Sequence, residues 1–436
     1  MATTPVWSFF CGSFPFSGLS VRSHLMNDPK IFFAGCLDAD PYFCLKQCDR
    51  TIVSELGSWG VKVRELHKEL PPGKVFRKIN RKVLYPALVA KATKSCVLNR
   101  IDDYALRNTH YSSLLHISSQ CYANLIPKSS IPTTITVHDV AEFDYPEGYT
   151  SAQLRRWETR IEQLKNAELV FTVSDFTRQE LIKKTDVSAE KIIVNPNGID
   201  CGFRVLDESE ILNLSRNPLG TRHKVVGTRA KELVNGALET RFLVLAAGSN
   251  IYRKNLPTLF KAVEELGRRG VPVTLVKAGE PIGQKSASGS ESATARRDDG
   301  GQRTERRGLK TVLHGVEIIN LGFVSQTELN TLYNLCDVLA FPSFYEGFGM
   351  PVVEAQLCGL PCVVSNASSL PEVGGDGALY HDPADADALA DQLERVYKDR
   401  RLRGELQEKG FSNAERFSWG KHVDILLKGF QRVLGN

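Results

Sequence analysis

The sequence predicts an α/β protein built from two doubly wound, Rossmann-like domains. Three observations carry that reading. Short apolar runs alternate with amphipathic helical stretches, the pattern of parallel strands joined by crossover helices. The runs fall into two series separated by residues 201–240, which show no clear period. At 436 residues, the chain also exceeds what one hydrophobic core usually organises. Hydrophobic content of 42% and charged content of 24% exclude a disordered or fibrous protein. No apolar run approaches the roughly 18–20 residues of a membrane-spanning helix.

The first 26 residues contain no acid and a single Arg, faintly like a transit sequence. They lack the basic start and longer apolar stretch of a signal peptide, and Trp7, Phe9, Phe10, Phe14 and Phe16 suit a first strand and loop. Arg50–Trp59 reads as a helix. In the first series, Leu114–Ile117, Thr133–Val137 and Leu169–Val173 read as buried strands, followed by a helix at Asp175–Lys184 and a strand at Ile192–Val194. The second series begins with the strand Phe242–Ala247, the helix Leu256–Arg269 and the strand Val273–Lys277. It continues through the strand Ile318–Leu321, the helix Gln326–Asn334 and the strands Val338–Phe341 and Pro361–Val364. The expected division is an N-terminal domain over 1–200, a linker region over 201–240 and a C-terminal domain over 241–417. A C-terminal helix within 418–436 is expected to pack back on the first domain.

Residues 285–308 hold no aromatic and no branched aliphatic side chain, so they read as a disordered surface insertion. Residues 285–310 carry seven basic and four acidic residues, +3 of the net charge of +5. The remaining +2 gives no reason to expect a nucleic-acid partner. Ten cysteines show no Cys-x-x-Cys pair, which suits reduced cysteines in the cytoplasm. Peripheral contact with a membrane and an organelle address are the alternatives to a purely cytoplasmic location.

The candidate chemistry lies where strands give way to helices. Pro342-Ser-Phe-Tyr-Glu-Gly-Phe-Gly-Met-Pro-Val-Val-Glu354 follows a strand, with Glu346 on a solvent-facing loop at the cleft and Glu354 about one turn into a helix that starts near Pro351. In doubly wound sheets ligands bind beyond the carboxyl ends of the strands, where helix N-termini offer free N–H groups to phosphates and carboxylates accept from sugar hydroxyls. Glu354 could equally serve only to complement the helix dipole. Gly248-Ser-Asn-Ile-Tyr-Arg-Lys-Asn255 places Arg253 and Lys254 at a second such edge, where adjacent cations can neutralise a diphosphate or form a solvated basic turn. His138 and Asp139 close the strand Thr133–Val137. Asp38-Ala-Asp40 and Asp385-Ala-Asp387 imitate metal-binding Asp-x-Asp pairs, but Asp385 leads a helix and reads as a cap, so no metal site is expected.

Together these residues resemble the retaining glycosyltransferases of GT-B architecture, group one (family 4), which include mannosyl- and glucosyltransferases. The hallmark is the pair Glu346 and Glu354 within Pro342…Pro361, supported by Ser365–Glu372, Arg253-Lys254-Asn255, His138-Asp139, Val173–Thr177 and Asn197-Gly198. The resemblance implies that Glu346 binds donor-sugar hydroxyls and Glu354 the nucleotide ribose. Backbone groups at Gly347, Phe348, Gly349 and Met350, with Gly248 and Asn255, would line the donor site. Arg253 and Lys254 would stabilise the departing diphosphate without a metal or other cofactor, and His138 and Asp139 would face the donor from the acceptor side. The implied partners are a nucleotide sugar of the GDP-mannose or UDP-glucose type and a saccharide or lipid-linked acceptor. The family's Gly-rich N-terminal loop has no clear counterpart among Cys11–Gly18 or Cys36–Cys48, which keeps a nucleotide-sugar-binding scaffold as the rival reading. A nicotinamide-dependent oxidoreductase is disfavoured because no G-x-G-x-x-G follows a strand.

Overall fold

The structure is a computed structural model. It describes residues 30–35, 43–69, 85–98, 113–199, 202–207, 209–211, 241–280, 282, 309–313 and 315–435. The aromatic N-terminal segment, the Gly-bearing stretch Cys11–Gly18, Asp38 and Asp40, residues 212–240 and the insertion 285–308 lie outside these residues.

The first sheet contains β1 (Lys30–Ala34), β2 (Lys62–Glu65), β3 (Ser113–Ile117), β4 (Thr133–Val137), β5 (Leu169–Thr172) and β6 (Ile192–Val194). Its strand order is β2-β1-β3-β4-β5-β6 and every pairing is parallel. The helices α1 (Phe43–Ser58), α2 (Tyr85–Leu98), α3 (Ser151–Ile161) and α4 (Asp175–Lys184) belong to this half. Strands β3, β4 and β5 are buried along their whole length, which is why they read as continuous apolar and β-branched runs. Local signals fix the helix starts. Thr150 and Gln153 form a reciprocal capping box on α3, and the Ser174 Oγ accepts from the Thr177 N–H at 3.0 Å on α4.

The second sheet contains β7 (Phe242–Gly248), β8 (Val273–Gly279), β9 (Leu309–Leu313), β10 (Val316–Gly322), β11 (Val338–Phe341), β12 (Cys362–Ser365) and β13 (Ala378–His381), in the order β13-β12-β11-β7-β8-β10-β9. Its helices are α5 (Leu256–Arg268), α6 (Gln326–Leu335), α7 (Met350–Leu357), α8 (Leu370–Gly374), α9 (Ala386–Lys398) and α10 (Arg400–Ala414). The chain starts in the middle at β7, winds outward through β8, then returns to β11 on the other side. A crevice therefore opens at the carboxyl ends of β7 and β11, the position where such sheets bind ligands.

One departure from an all-parallel reading is β9, which pairs antiparallel to β10. The two are joined by a connection of two residues that includes Gly315 at φ +85°, too short for a parallel crossover. The strand β8 also runs two residues beyond Lys277, and the first helix occupies Phe43–Ser58 rather than Arg50–Trp59.

The last helix, α11 (Trp419–Leu434), returns to the first sheet. Its Trp419, Val423, Leu426, Leu427 and Phe430 are buried together with Ile31, Phe33, Leu56, Leu114 and Phe171. A Cβ on Gly429 would sit 2.9 Å from the Phe171 Cε1, so glycine there is what permits the helix to approach the sheet closely. Among the described residues, no helix is long and apolar enough to cross a membrane.

Candidate active site

Four charged side chains meet at the crevice. Asn255 adopts the left-handed conformation (φ 53°) at the start of α5, and its side-chain amide donates to the Pro342 carbonyl at 3.0 Å and the Pro383 carbonyl at 2.6 Å. That brace joins the loops after β7, β11 and β13, so the Asn255 side chain serves to position the cations before it. The Arg253 carbonyl accepts from the Phe344 N–H at 2.8 Å, joining the same loops again.

From this loop the Lys254 Nζ donates to Glu346 Oε1 at 2.6 Å, and the Arg253 Nη1 lies 3.7 Å from Glu346 Oε2. Arg253 also donates to the Tyr345 carbonyl at 3.2 Å, and its Nη2 lies 3.4 Å from Asp139 Oδ2 of the first domain. Asp139, Arg253, Glu346 and Lys254 thus form one network across the cleft. Glu346 is 6% exposed, which corrects its expected placement on a solvent-facing loop. Burial alone would raise its pKa, but Lys254 and Arg253 outweigh that and hold it below the usual carboxylate value. Burial likewise opposes the charge of Arg253, and the carboxylates of Asp139 and Glu346 reverse that effect. The loop carrying Glu346 is pinned through its main chain: the Glu346 N–H donates to Ser368 Oγ at 2.9 Å, and its carbonyl accepts from Ser369 Oγ at 2.9 Å.

At Gly347 the two halves are in direct contact. A Cβ on it would overlap the His138 carbonyl and lie 2.9 Å from the Asp139 Cβ. Its carbonyl accepts from Ser174 Oγ at 2.6 Å and from Thr177 Oγ1 at 3.2 Å, both at the start of α4. The Glu372 carboxylate of α8 accepts from the Asp175 and Phe176 N–H groups at 2.9 and 3.2 Å, capping α4 from the opposite domain. Phe348 is buried against Phe417, and Gly349 takes φ +102° immediately before Met350, the first residue of α7. One turn on, Glu354 is buried and its Oε2 accepts from the Tyr333 hydroxyl at 2.8 Å.

His138 follows β4. Its Nε2 lies 2.8 Å from the Ser118 carbonyl, which can only accept, so that nitrogen carries the hydrogen. Burial lowers its pKa despite the Ser118 carbonyl and Asp139, so the imidazole is neutral. Gln120 fixes this corner by accepting from the His138 N–H at 3.1 Å and donating to the Asp139 carbonyl at 3.0 Å. Gly248 ends β7 at φ +128°.

The structure therefore brings Glu346, Arg253, Lys254 and Asp139 into direct contact, sets Gly347 against His138, and places Glu354 on the neighbouring helix. Sequence reasoning missed the cross-domain partners Ser174, Thr177 and Glu372 as a latch, although each fell within a stretch that supported the resemblance. It also missed Tyr333, a buried tyrosine in the last turn of α6. The Asp385 Oδ1 accepts from the Ala388 N–H at 2.8 Å, so it caps α9 as its position suggested.

With two facing doubly wound halves and a charged cleft between them, the molecule has the GT-B architecture. The chain matches the family of glycosyl transferases group 1 over residues 229–417 and Glycosyltransferase Family 4 over residues 58–203, and it belongs to that family. It is 30% identical over 285 residues to O-antigen chain mannosyltransferase B of Escherichia coli, covering 65% of this chain and 66% of that protein. Against the serotype-specific mannosyltransferase WbdA of Escherichia coli, identity is 26% over 325 residues, covering 72% of this chain and 36% of that one. The match thus spans just under two thirds of the first relative and about a third of the second. The solved structure of HepE from Anabaena in complex with UDP-glucose resembles this fold with a TM-score of 0.58 at 19% identity, covering 93% of this chain and 100% of that chain.

Proposed function

We propose that the chain is a retaining hexosyltransferase that moves a hexose from a nucleotide sugar to a saccharide or lipid-linked acceptor without a metal. The observation that carries this reading is the convergence of Arg253, Lys254 and Glu346 at the carboxyl ends of β7 and β11, opposite His138 and Asp139. Breaking the bond between the anomeric carbon and the phosphate oxygen leaves negative charge on the diphosphate. Cations already oriented in a water-poor cleft lower that barrier. Asp139 belongs to the first domain, so separating the halves leaves Arg253, Lys254 and Glu346 with a net charge of +1 (two cations less one carboxylate), matched to an anionic guest.

In this account the ionised Glu346 accepts hydrogen bonds from donor-sugar hydroxyls, and the Gly347–Met350 backbone lines the sugar and phosphate. Glu354 holds the ribose. The neutral His138 faces the sugar from the acceptor domain, where its unprotonated Nδ1 can accept a hydroxyl hydrogen. The mannosyltransferase names of the relatives favour mannose as the hexose, hence GDP-mannose ahead of UDP-glucose as donor. Product identification by mass spectrometry, using a panel of donors with saccharide and lipid-linked acceptors in excess chelator, tests the reading. Transfer of a single hexose in chelator is expected. Failure to turn over any donor, or activity that returns only with manganese or magnesium, overturns it.

A further inference from the structure

Lys277 is 1% exposed and lies in a strand whose other residues are apolar or small apart from Thr274. Its neighbours Val273 and Leu275 face a core shared with α5 and α9, where a lysine would normally be excluded. The ammonium bends towards the carboxyl end of β8 and donates to three main-chain carbonyls: Gly248 at 2.6 Å, Ala278 at 2.8 Å and Glu280 at 3.3 Å. Each of its three hydrogens has an acceptor, which is what permits the burial. The Gly248 carbonyl also accepts from the Glu280 N–H at 3.1 Å, and the Glu280 carboxylate accepts from the Asn250 N–H at 2.8 Å. Gly248 and Gly279 face each other in register, and a Cβ on Gly279 would come within 2.9 Å of the Gly248 carbonyl carbon. The ammonium therefore closes a tight seam between the ends of β7 and β8. From that seam the chain passes directly to Arg253 and Lys254, which are held at the far side by the Asn255 brace.

We propose that Lys277 is a positioning residue for the diphosphate site, its ammonium fixing the Gly248–Asn250 turn so that Arg253 and Lys254 are presented to the leaving group in one geometry. The inference rests on the reading of the cleft as a nucleotide-sugar site. Burial lowers the Lys277 pKa to about 7, Glu280 opposing and Lys254 adding to the shift. Those two are the charged groups that face it; its strand neighbours in register are Ala246 on β7 and the neutral Asn320 on β10. Loss of the proton above neutral pH removes one of the three donors, so the turn loosens as pH rises.

The test is calorimetric titration of the full chain with inorganic pyrophosphate between pH 6 and 8.5, for the wild type and for Lys277→Met. The wild type is expected to lose affinity above about pH 7. The variant is expected to bind about tenfold more weakly at pH 6 and to lack that pH-dependent loss. Comparing the two cancels the ionisation of pyrophosphate itself. Should Lys277→Met not fold, Glu280→Gln gives the second arm, because removing the carboxylate that supports the ammonium should move the wild-type loss of affinity to lower pH. Wild-type binding that is unaltered in affinity and pH profile by Lys277→Met, or in pH profile by Glu280→Gln, overturns the positioning role alone. A wild type that does not bind pyrophosphate at any pH overturns the diphosphate site and this inference with it.

Discussion

Replacing Gly347 by alanine adds one methyl group where the two halves are in direct contact. Gly347 does not need a left-handed backbone, so the change introduces no local strain and acts only through the space it fills. That space is occupied by the His138 carbonyl and the Asp139 Cβ. The Glu346–Phe348 segment must therefore retreat from His138 by on the order of 1 Å, and misplacement of that size costs roughly 100-fold in activity. The retreat stretches the bonds from Ser174 Oγ at 2.6 Å and Thr177 Oγ1 at 3.2 Å to the Gly347 carbonyl. Two neutral hydrogen bonds contribute about 1–3 kcal/mol together. For a domain of this size that lowers the melting temperature by several degrees, about 2–4 °C per kcal/mol. Steady-state kinetics and scanning calorimetry on the same preparation give both quantities. A Gly347→Ala chain with kcat/KM within twofold of wild type would mean that the closed arrangement is not the one in which transfer occurs.

Glu346→Ala should abolish transfer and also lower stability by about 3 kcal/mol, since it strands the largely buried Lys254 and leaves Arg253 with Asp139 as its carboxylate partner in this network; thermal unfolding and activity measured together test both, and an active variant would sink the assignment. Arg253→Ala or Lys254→Ala should each cost about 2–4 kcal/mol of barrier, read as a loss of kcat, and an unchanged kcat would remove them from the leaving-group role. Stability should fall on acidification below pH 6.5, because burial lowers the pKa of His116 to about 3 and of His422 to about 4. The folded state keeps both neutral where the unfolded state takes up protons, so between pH 7 and 5 the two remove up to about 4 kcal/mol. Denaturant unfolding at both pH values measures it, and His116→Gln should lessen the slope.

Legibility followed how local the determining forces are. β4, β6, β11 and α4 have the bounds expected from sequence, because each is a short apolar run or helical stretch bounded by turn or capping residues. The expected strand Val273–Lys277 is two residues short because a lysine ordinarily marks the end of a buried strand, and the carbonyls of Gly248, Ala278 and Glu280 make its burial tolerable. The antiparallel β9 follows a stretch with no hydrophobic period, so nothing local announced it. The carboxylates and cations were legible as a set at strand ends. Their pairing was not, since Asp139 meets Arg253 and Gly347 meets Ser174 over more than a hundred residues of separation, distances that no periodicity reaches. The burial of Glu346 follows from the same closure.

The most direct test of the central claim is proton NMR of the reaction in excess chelator, with GDP-mannose and UDP-glucose offered separately to a saccharide acceptor. The anomeric signal of one donor is expected to be replaced by that of an α-configured glycoside, the configuration of the donor being kept. A β-configured product, or donors that persist unchanged in the presence of folded protein, would contradict it.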